Sequence, residues 1–101
     1  LYRVFSLEEQ QEFEKRNKKI EHIAAAFCAK EAFSKAIGTG ISGFNLNEVT
    51  LLHKENGKPY LKFSGKALEI VRESGLSFDV SITHTESIAT AIVIAFQGER
   101  L

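Results

Sequence analysis

The stretch that decides the fold runs from residue 20 to residue 40 and reads IEHIAAAFCAKEAFSKAIGTG. At about 100° per residue, one row of its apolar side chains falls on a single helical face. That row consists of Ile20, Ile23, Ala24 and Phe27, and the opposite face holds Ala25, Ala29, Ala32, Phe33 and Ala36. A helix that is apolar on nearly every side is central and buried. The pattern therefore predicts a buried helix over about residues 18–37, beginning near Lys18 and ended by Gly38.

Glu31 continues this apolar row one turn after Phe27, and Ser34 and Lys35 follow on the next turn. Removing a carboxylate from water is costly unless a cation or a hydrogen-bond donor compensates. In one interpretation Glu31 forms an ion pair with Lys35, worth about 0.2–0.5 kcal/mol at this spacing on an exposed helix. In the other, Glu31 is a ligand of a hard cation such as Mg²⁺, and Ser34 and Lys35 face a nearby anionic ligand. The residues leave both interpretations open.

Local signals on either side of this helix predict the remaining elements. Ser6 followed by Glu9 is a capping box and predicts a first helix over residues 7–16, which Asn17 ends. Asn56-Gly57 is a strong hairpin signal between two strand-like segments. The later predictions are strands at 46–54 and 59–63, a helix at 65–74 that Ser64 caps, and strands at 77–83 and 88–96. The order α-α-β-β-α-β-β predicts an α+β fold, an antiparallel sheet with a long central helix.

Composition excludes several classes of protein. The chain carries 13 Lys+Arg and 13 Asp+Glu, whereas a nucleic-acid-binding domain usually has a basic excess. The longest nearly apolar stretch, residues 88–96, is too short for a membrane span, which needs about 18 residues. Cys28 is the single cysteine, so no internal disulfide forms and a cytoplasmic location is expected. We predict one domain over residues 1–101, and since the chain begins with Leu1 rather than Met, we expect its natural N-terminus upstream.

The segment GTGISG, residues 38–43, matches the G-x-G-x-x-G pattern literally. A dinucleotide site requires a strand before these glycines and a helix after them, and here the predicted order is the reverse. We therefore reject that site and interpret the segment as a helix cap followed by a flexible connector.

His84 falls in phase with the alternating apolar residues Phe78, Val80 and Ile82, so its ring is predicted to leave the strand on the core side. A lone histidine in such a place is usually a hydrogen-bonded structural residue. The alternative is a polar rim that receives phosphate oxygens, formed by His84 with the hydroxyl side chains of Ser81, Thr83 and Thr85.

Two of these segments together carry a family resemblance. The run FCAKEAFSKAIGTG, residues 27–40, closely resembles the KEAxxK…GTG signature of the 4′-phosphopantetheinyl transferases, in particular of the short bacterial holo-acyl-carrier-protein synthases. Supporting matches are RVFS at residues 3–6, GKP at 57–59 and VSITHT at 80–85, in the order and at the spacing of the family.

The resemblance implies transfer of the 4′-phosphopantetheine arm of coenzyme A to a serine of apo acyl carrier protein, with release of 3′,5′-ADP. It implies that Glu31 binds Mg²⁺, which contacts the coenzyme A diphosphate, and that Lys35 and His84 approach the phosphates as catalytic residues. The positions that it places around the coenzyme are Ser34, Lys35, Thr39, Gly40, Pro59 and His84. Short members of the family form homotrimers with active sites between subunits, so a homotrimer is implied, with no nucleic-acid or membrane partner.

The sequence departs from the family pattern at two places. The family opens with a strand similar to GIGxDxxE, whose aspartate is a second metal ligand, and by that pattern the strand would lie upstream of Leu1. At Ala26, short members usually carry an arginine that contacts phosphate. These departures keep an alternative open, a non-catalytic coenzyme-A-binding or assembly subunit with the same fold.

Overall fold

The computed structural model of the protein describes residues 3–17, 19–40 and 42–98. Within these ranges, helices and strands follow one another in the predicted order, and the α+β class is confirmed. The predicted start of the second helix at Lys18 lies outside the described residues. The helices are α1 (Leu7–Lys15), α2 (Ile20–Ile37) and α3 (Gly65–Ser74); a 3₁₀ turn covers Leu46–Glu48; the strands are β1 (Val49–His53), β2 (Pro59–Phe63), β3 (Ser77–His84) and β4 (Ala89–Phe96).

The predicted capping box begins α1. The Glu9 N–H donates to Ser6 Oγ at 3.2 Å, and the Ser6 N–H donates to Glu9 Oε1 at 3.1 Å. Two backbone groups that a helix end leaves without partners are satisfied in this way. Asn17 follows the helix with φ +60°, a conformation that asparagine tolerates better than most residues, so it ends α1 as predicted.

The strands pair as two antiparallel hairpins, each a two-stranded sheet within the described part of the chain. The first hairpin joins β1 to β2, and the predicted turn closes it after His53 pairs with Pro59. Gly57 takes the positive φ of 90° that this turn requires. The second hairpin joins β3 to β4 and closes where His84 pairs with Ala89. The strands therefore pair antiparallel as predicted, but they form two small sheets.

α2 is the central element, but it is not buried on nearly every side as predicted. Ile20 is 79% exposed and Phe27 is 38% exposed, so the prediction of burial on nearly every side is wrong for this part of the helix. The physical reason is that Lys30 is drawn into the core by an ion pair with Glu9 of α1. No helix in the described ranges is long and apolar enough to cross a membrane. The buried residues of α2 are Ala25, Ala26, Ala29, Lys30, Phe33 and Ser34.

The N-terminus of α3 is capped from elsewhere in the chain. Ser64 occupies the predicted N-cap position, but its hydroxyl makes no capping hydrogen bond. Glu48 Oε1 instead accepts a hydrogen bond from the Ala67 N–H at 3.3 Å. Gly65 adopts φ +55°, and a Cβ at this position would run into the Glu48 carboxylate. A glycine is therefore required where the loop enters the helix.

The core lies between α2 and the two hairpins. In one part, the ring centroid of Phe33 lies 4.9 Å from that of Phe63 and 5.1 Å from that of Phe78. The other part is built around small side chains of α2, including Ala26, which is 1% exposed and packs with Phe5. This packing fixes one side of α2 against the hairpins, and the side that carries Glu31 faces an open groove.

Candidate active site

Glu31 and Lys35 both line a groove between α2 and β4. The groove has a volume of about 400 Å³, and Glu31 is half-buried in it whereas Lys35 is exposed. Among the described residues no ion pair joins the two side chains, so the interpretation of Glu31 as a simple partner of Lys35 gains no support. Both groups are available to a ligand. The lining residues are Phe27, Cys28, Glu31, Ala32, Lys35, Ala89, Thr90 and Ala91.

Ser34 does not line this groove, contrary to the expectation that it faces an anionic ligand. Its side chain lies on the buried face of α2 and is 2% exposed. The hydroxyl donates a hydrogen bond of 2.6 Å to the carbonyl of Glu31, one turn earlier in the helix. The same rotation of α2 that buries Lys30 carries Ser34 inward, so in the single chain Ser34 supports the backbone of Glu31 rather than a ligand.

Thr39 and Gly40 lie just beyond the C-terminus of α2. Gly38 caps the helix in the left-handed conformation, as predicted, and the Gly40 N–H donates to the Ser34 carbonyl at 3.1 Å. The Thr39 hydroxyl donates to the Gly40 carbonyl at 2.8 Å. The connector is thus tied to the end of α2, one turn past Lys35. Ile41, which belongs to the glycine-rich segment, lies outside the described residues.

Pro59 and His84 line a second recess of about 240 Å³ at the other end of α2. The ring of His84 leaves β3 on the side that faces α2, as predicted, but the residue is exposed rather than buried in the core. His84 is the last residue of β3, and its ring meets that of His22 of α2, edge to face, with centroids 5.4 Å apart. The lining residues are Arg16, His22, Ala25, His53, Gly57, Pro59, Ile82 and His84.

The second recess gathers cationic and imidazole side chains. Desolvation lowers the pKa of His22, and the nearby Arg16 and His84 lower it further. His53 Nδ1 lies 3.1 Å from Glu12 Oε1, and Arg16 Nε lies 3.7 Å from the same oxygen. A guanidinium group is suited to phosphate oxygens, so Arg16 could contact an anionic ligand in this recess, although Glu12 offsets part of its charge.

A fully buried ion pair lies behind the groove. Lys30 Nζ is 2.6 Å from Glu9 Oε1, and both side chains are 0% exposed. Lys30 also donates to the carbonyl of Leu46 at 3.1 Å and to that of Val49. Burial raises the pKa of Glu9 and lowers the pKa of Lys30, while their mutual attraction opposes both shifts.

With this geometry in place, comparison with known proteins gives the family. A family model described as the 4′-phosphopantetheinyl transferase superfamily matches residues 1–93. The chain belongs to this superfamily. It is 40% identical to the holo-[acyl-carrier-protein] synthase of Thermoanaerobacter sp. over 101 residues, 99% of this chain and 73% of the relative. Similarity to the synthase of Treponema pallidum extends over 102 residues at 38% identity, 100% of this chain and 81% of the relative.

Solved structures of the superfamily have the same fold. The holo-[acyl-carrier-protein] synthase of Neisseria meningitidis aligns with a TM-score of 0.85 at 32% identity, covering 94% of this chain and 78% of that one. The Helicobacter pylori synthase, solved in complex with coenzyme A, aligns with a TM-score of 0.79 at 26% identity, covering 95% and 80%. The resemblance inferred from the sequence is therefore confirmed across nearly the whole chain.

In this phosphopantetheinyl transferase superfamily member, the residues singled out from the sequence fall into separate places. Glu31 and Lys35 share the groove, whereas Pro59 and His84 share the second recess. Sequence reasoning assigned nothing to His22, which lies in the second recess through long-range packing that no local pattern reveals. The buried pairing of Lys30 with Glu9, 21 residues apart, was missed for the same reason.

Proposed function

We propose that this chain acts as a holo-[acyl-carrier-protein] synthase, transferring the 4′-phosphopantetheine arm of coenzyme A to a serine of apo acyl carrier protein. The observation that carries the proposal is the placement of Glu31 and Lys35 in one open groove of a superfamily member. The groove offers a carboxylate and an ammonium group together, the two kinds of group that a metal-assisted transfer of a phosphate ester needs. The other product is 3′,5′-ADP.

Glu31 is the residue proposed to hold Mg²⁺. The described residues contain no group of three or more His, Cys, Asp or Glu side chains placed to bind a metal. A single half-buried carboxylate still fits Mg²⁺, because this ion usually keeps several waters and takes further oxygens from substrate phosphates. When bound, Mg²⁺ would neutralise charge on the diphosphate of coenzyme A.

The side chains of the protein position the reacting groups and balance charge. Lys35, exposed in the groove with a flexible ammonium group, would neutralise a diphosphate oxygen. His84 would approach the phosphates from the second recess, and Pro59, Thr39 and Gly40 would border the coenzyme. The serine oxygen of the carrier forms a bond to the β-phosphorus, the bond from phosphorus to the 3′,5′-ADP oxygen breaks, and the serine proton passes to a base.

The separation of the two recesses favours an active site shared between copies of this chain. Glu31 lines one recess and His84 the other, so a coenzyme that reaches both would lie between neighbouring subunits. The outer face of β4 supports such association, because Ile92 and Ile94 are each 57% exposed. We therefore propose a homotrimer, acting in the cytoplasm on the carrier protein of fatty-acid biosynthesis.

The activity is tested by incubating the protein with coenzyme A and apo acyl carrier protein and measuring 3′,5′-ADP by chromatography. We expect product in Mg²⁺, none with excess chelator, and none with Glu31→Gln. Glu55→Gln is the matched control, since Glu55 lies exposed in the turn of the first hairpin. Coenzyme A binding without product would instead favour a non-catalytic coenzyme-A-binding subunit.

A further inference from the structure

The buried ion pair behind the groove takes no part in the steps proposed above. Lys30 immediately precedes Glu31 in α2, and its ammonium has three acceptors within reach. One is Glu9 Oε1, and the others are the carbonyls of Leu46 and Val49. An ammonium group has three donors, so Lys30 is fully satisfied without any contact to water.

Glu9 connects this network to the rest of the fold. Its Oε1 accepts the Ser6 N–H at 3.1 Å and its Oε2 accepts the Leu51 N–H at 3.0 Å. The pair therefore joins α2 to α1, to the start of β1 and to the turn before it. Since hydrogen bonds depend on direction as well as distance, such contacts fix how α2 is rotated about its axis.

The other buried contacts of α2 near the network constrain rotation less. Ala26 and Ala29 are buried on the same side, and their methyl groups interlock little with neighbouring side chains. Phe33 anchors the helix one turn further along through aromatic contacts. Around Glu31, the described residues show two directional contacts between α2 and its neighbours: the charged, fully buried network of Lys30 and a weaker hydrogen bond from Cys28 Sγ to the Ala89 carbonyl at 3.7 Å.

We propose that Lys30 and Glu9 are positioning residues whose buried network fixes the rotation of α2, so that Glu31 and Lys35 face the groove. The inference rests on the proposed function, since it takes the groove as the place of coenzyme A and its metal. Residues that orient a ligand side chain in this way typically change metal affinity or activity by about 10–100-fold when removed. Replacing both partners of a buried ion pair by neutral residues often leaves the stability of the fold unchanged, so the effect of the pair on the orientation of α2 can be measured apart from its effect on stability.

The test uses the double variant Lys30→Met/Glu9→Gln in the full chain. It removes both charges together, and glutamine at position 9 keeps the capping box of α1. The matched control is Lys62→Met/Glu8→Gln, which removes an ion pair of 3.0 Å between α1 and β2 whose side chains are about half exposed. If the first double variant does not fold, Glu9→Asp is measured in its place, since it keeps both charges and shortens the side chain that holds Lys30.

Two measurements on the folded proteins report on the groove. The first is the rate at which Cys28, the single cysteine, reacts with a thiol reagent. Cys28 lines the groove, is half-buried, and has its Sγ 3.7 Å from the Ala89 carbonyl, so rotation of α2 changes its access to solvent. The second is the Kd of coenzyme A at a fixed Mg²⁺ concentration, measured by calorimetry.

We expect Cys28 of the Lys30→Met/Glu9→Gln variant to react faster and the Kd of coenzyme A to rise by about 10–100-fold, with the control unchanged. An unchanged Cys28 rate and an unchanged Kd in the folded variant overturn the positioning role while leaving the proposed function intact. If the unsubstituted protein binds no coenzyme A, the proposed function fails and the inference fails with it.

Discussion

Replacing Lys30 alone by methionine is the perturbation with the largest calculable effect on stability. Methionine has a similar length but no donor, so the hydrogen bonds from Nζ to Glu9 Oε1 and to the Leu46 and Val49 carbonyls are lost. Glu9 remains fully buried and keeps its bonds from the Ser6 and Leu51 N–H groups and a long one, 3.5 Å, from the Ser6 hydroxyl, none of which carries a compensating charge. Removing one partner of a buried ion pair in this way costs about 3–5 kcal/mol. For a domain of this size, such a loss lowers Tm by at least about 12 °C.

The assay is urea unfolding followed by circular dichroism at neutral pH, with thermal unfolding as a second measure. Lys62→Met is the matched control, because the pair of Lys62 with Glu8 is exposed and worth about 0–1 kcal/mol. A loss below about 1 kcal/mol in Lys30→Met, equal to that of the control, would refute the reasoning. It would mean that the Glu9 carboxylate finds water or another donor when the ammonium is gone.

Three further predictions concern single positions and pairs of variants. Gly65→Ala should destabilise the fold by about 1–3 kcal/mol, because the new methyl group meets the Glu48 carboxylate at a positive φ; urea unfolding measures this, and a neutral result would contradict the geometry. Desolvation lowers the pKa of His22, so this residue binds fewer protons in the folded state than in the unfolded state. The neutral ring therefore contributes fully to folding stability above about pH 6.5, and this stability is lost as the pH falls toward the lowered pKa of the folded state. The loss of stability between pH 7.5 and 5.5 should therefore be smaller in His22→Phe, and an equal loss would argue against this assignment. Finally, a mixture of inactive Glu31→Gln and inactive His84→Ala proteins, unfolded and refolded together, should regain part of the activity if each active site is shared between subunits. Mixtures that stay inactive while forming mixed oligomers would place the site within one subunit.

The local elements could be predicted from the sequence because their signals are local. The capping box of Ser6 and Glu9, the Asn56-Gly57 turn and the glycine that ends α2 each depend on a few neighbouring residues, and each is present as predicted. The signature around Glu31 likewise indicated the family, since a short run of residue types carries it.

What depends on distant contacts could not be predicted. Counting apolar residues predicted that α2 is buried on nearly every side, because the count cannot show that Lys30 pairs with a distant carboxylate in the core while Ile20 and Phe27 remain exposed. For His84, strand alternation gave the side of the sheet correctly but not the burial, because the strand ends there and the ring meets His22 of α2 at an open recess. The cap on α3 comes from Glu48 rather than Ser64 for a similar reason: the acceptor is close in space and distant in sequence.

The measurement that tests the central claim most directly is the intact mass of apo acyl carrier protein after incubation with coenzyme A, Mg²⁺ and this protein. The account predicts a gain of one phosphopantetheine group, mapped by peptide analysis to one serine, and no gain when the protein carries Glu31→Gln. An unchanged carrier mass, under conditions in which a known synthase modifies the same carrier sample, would contradict the proposed activity.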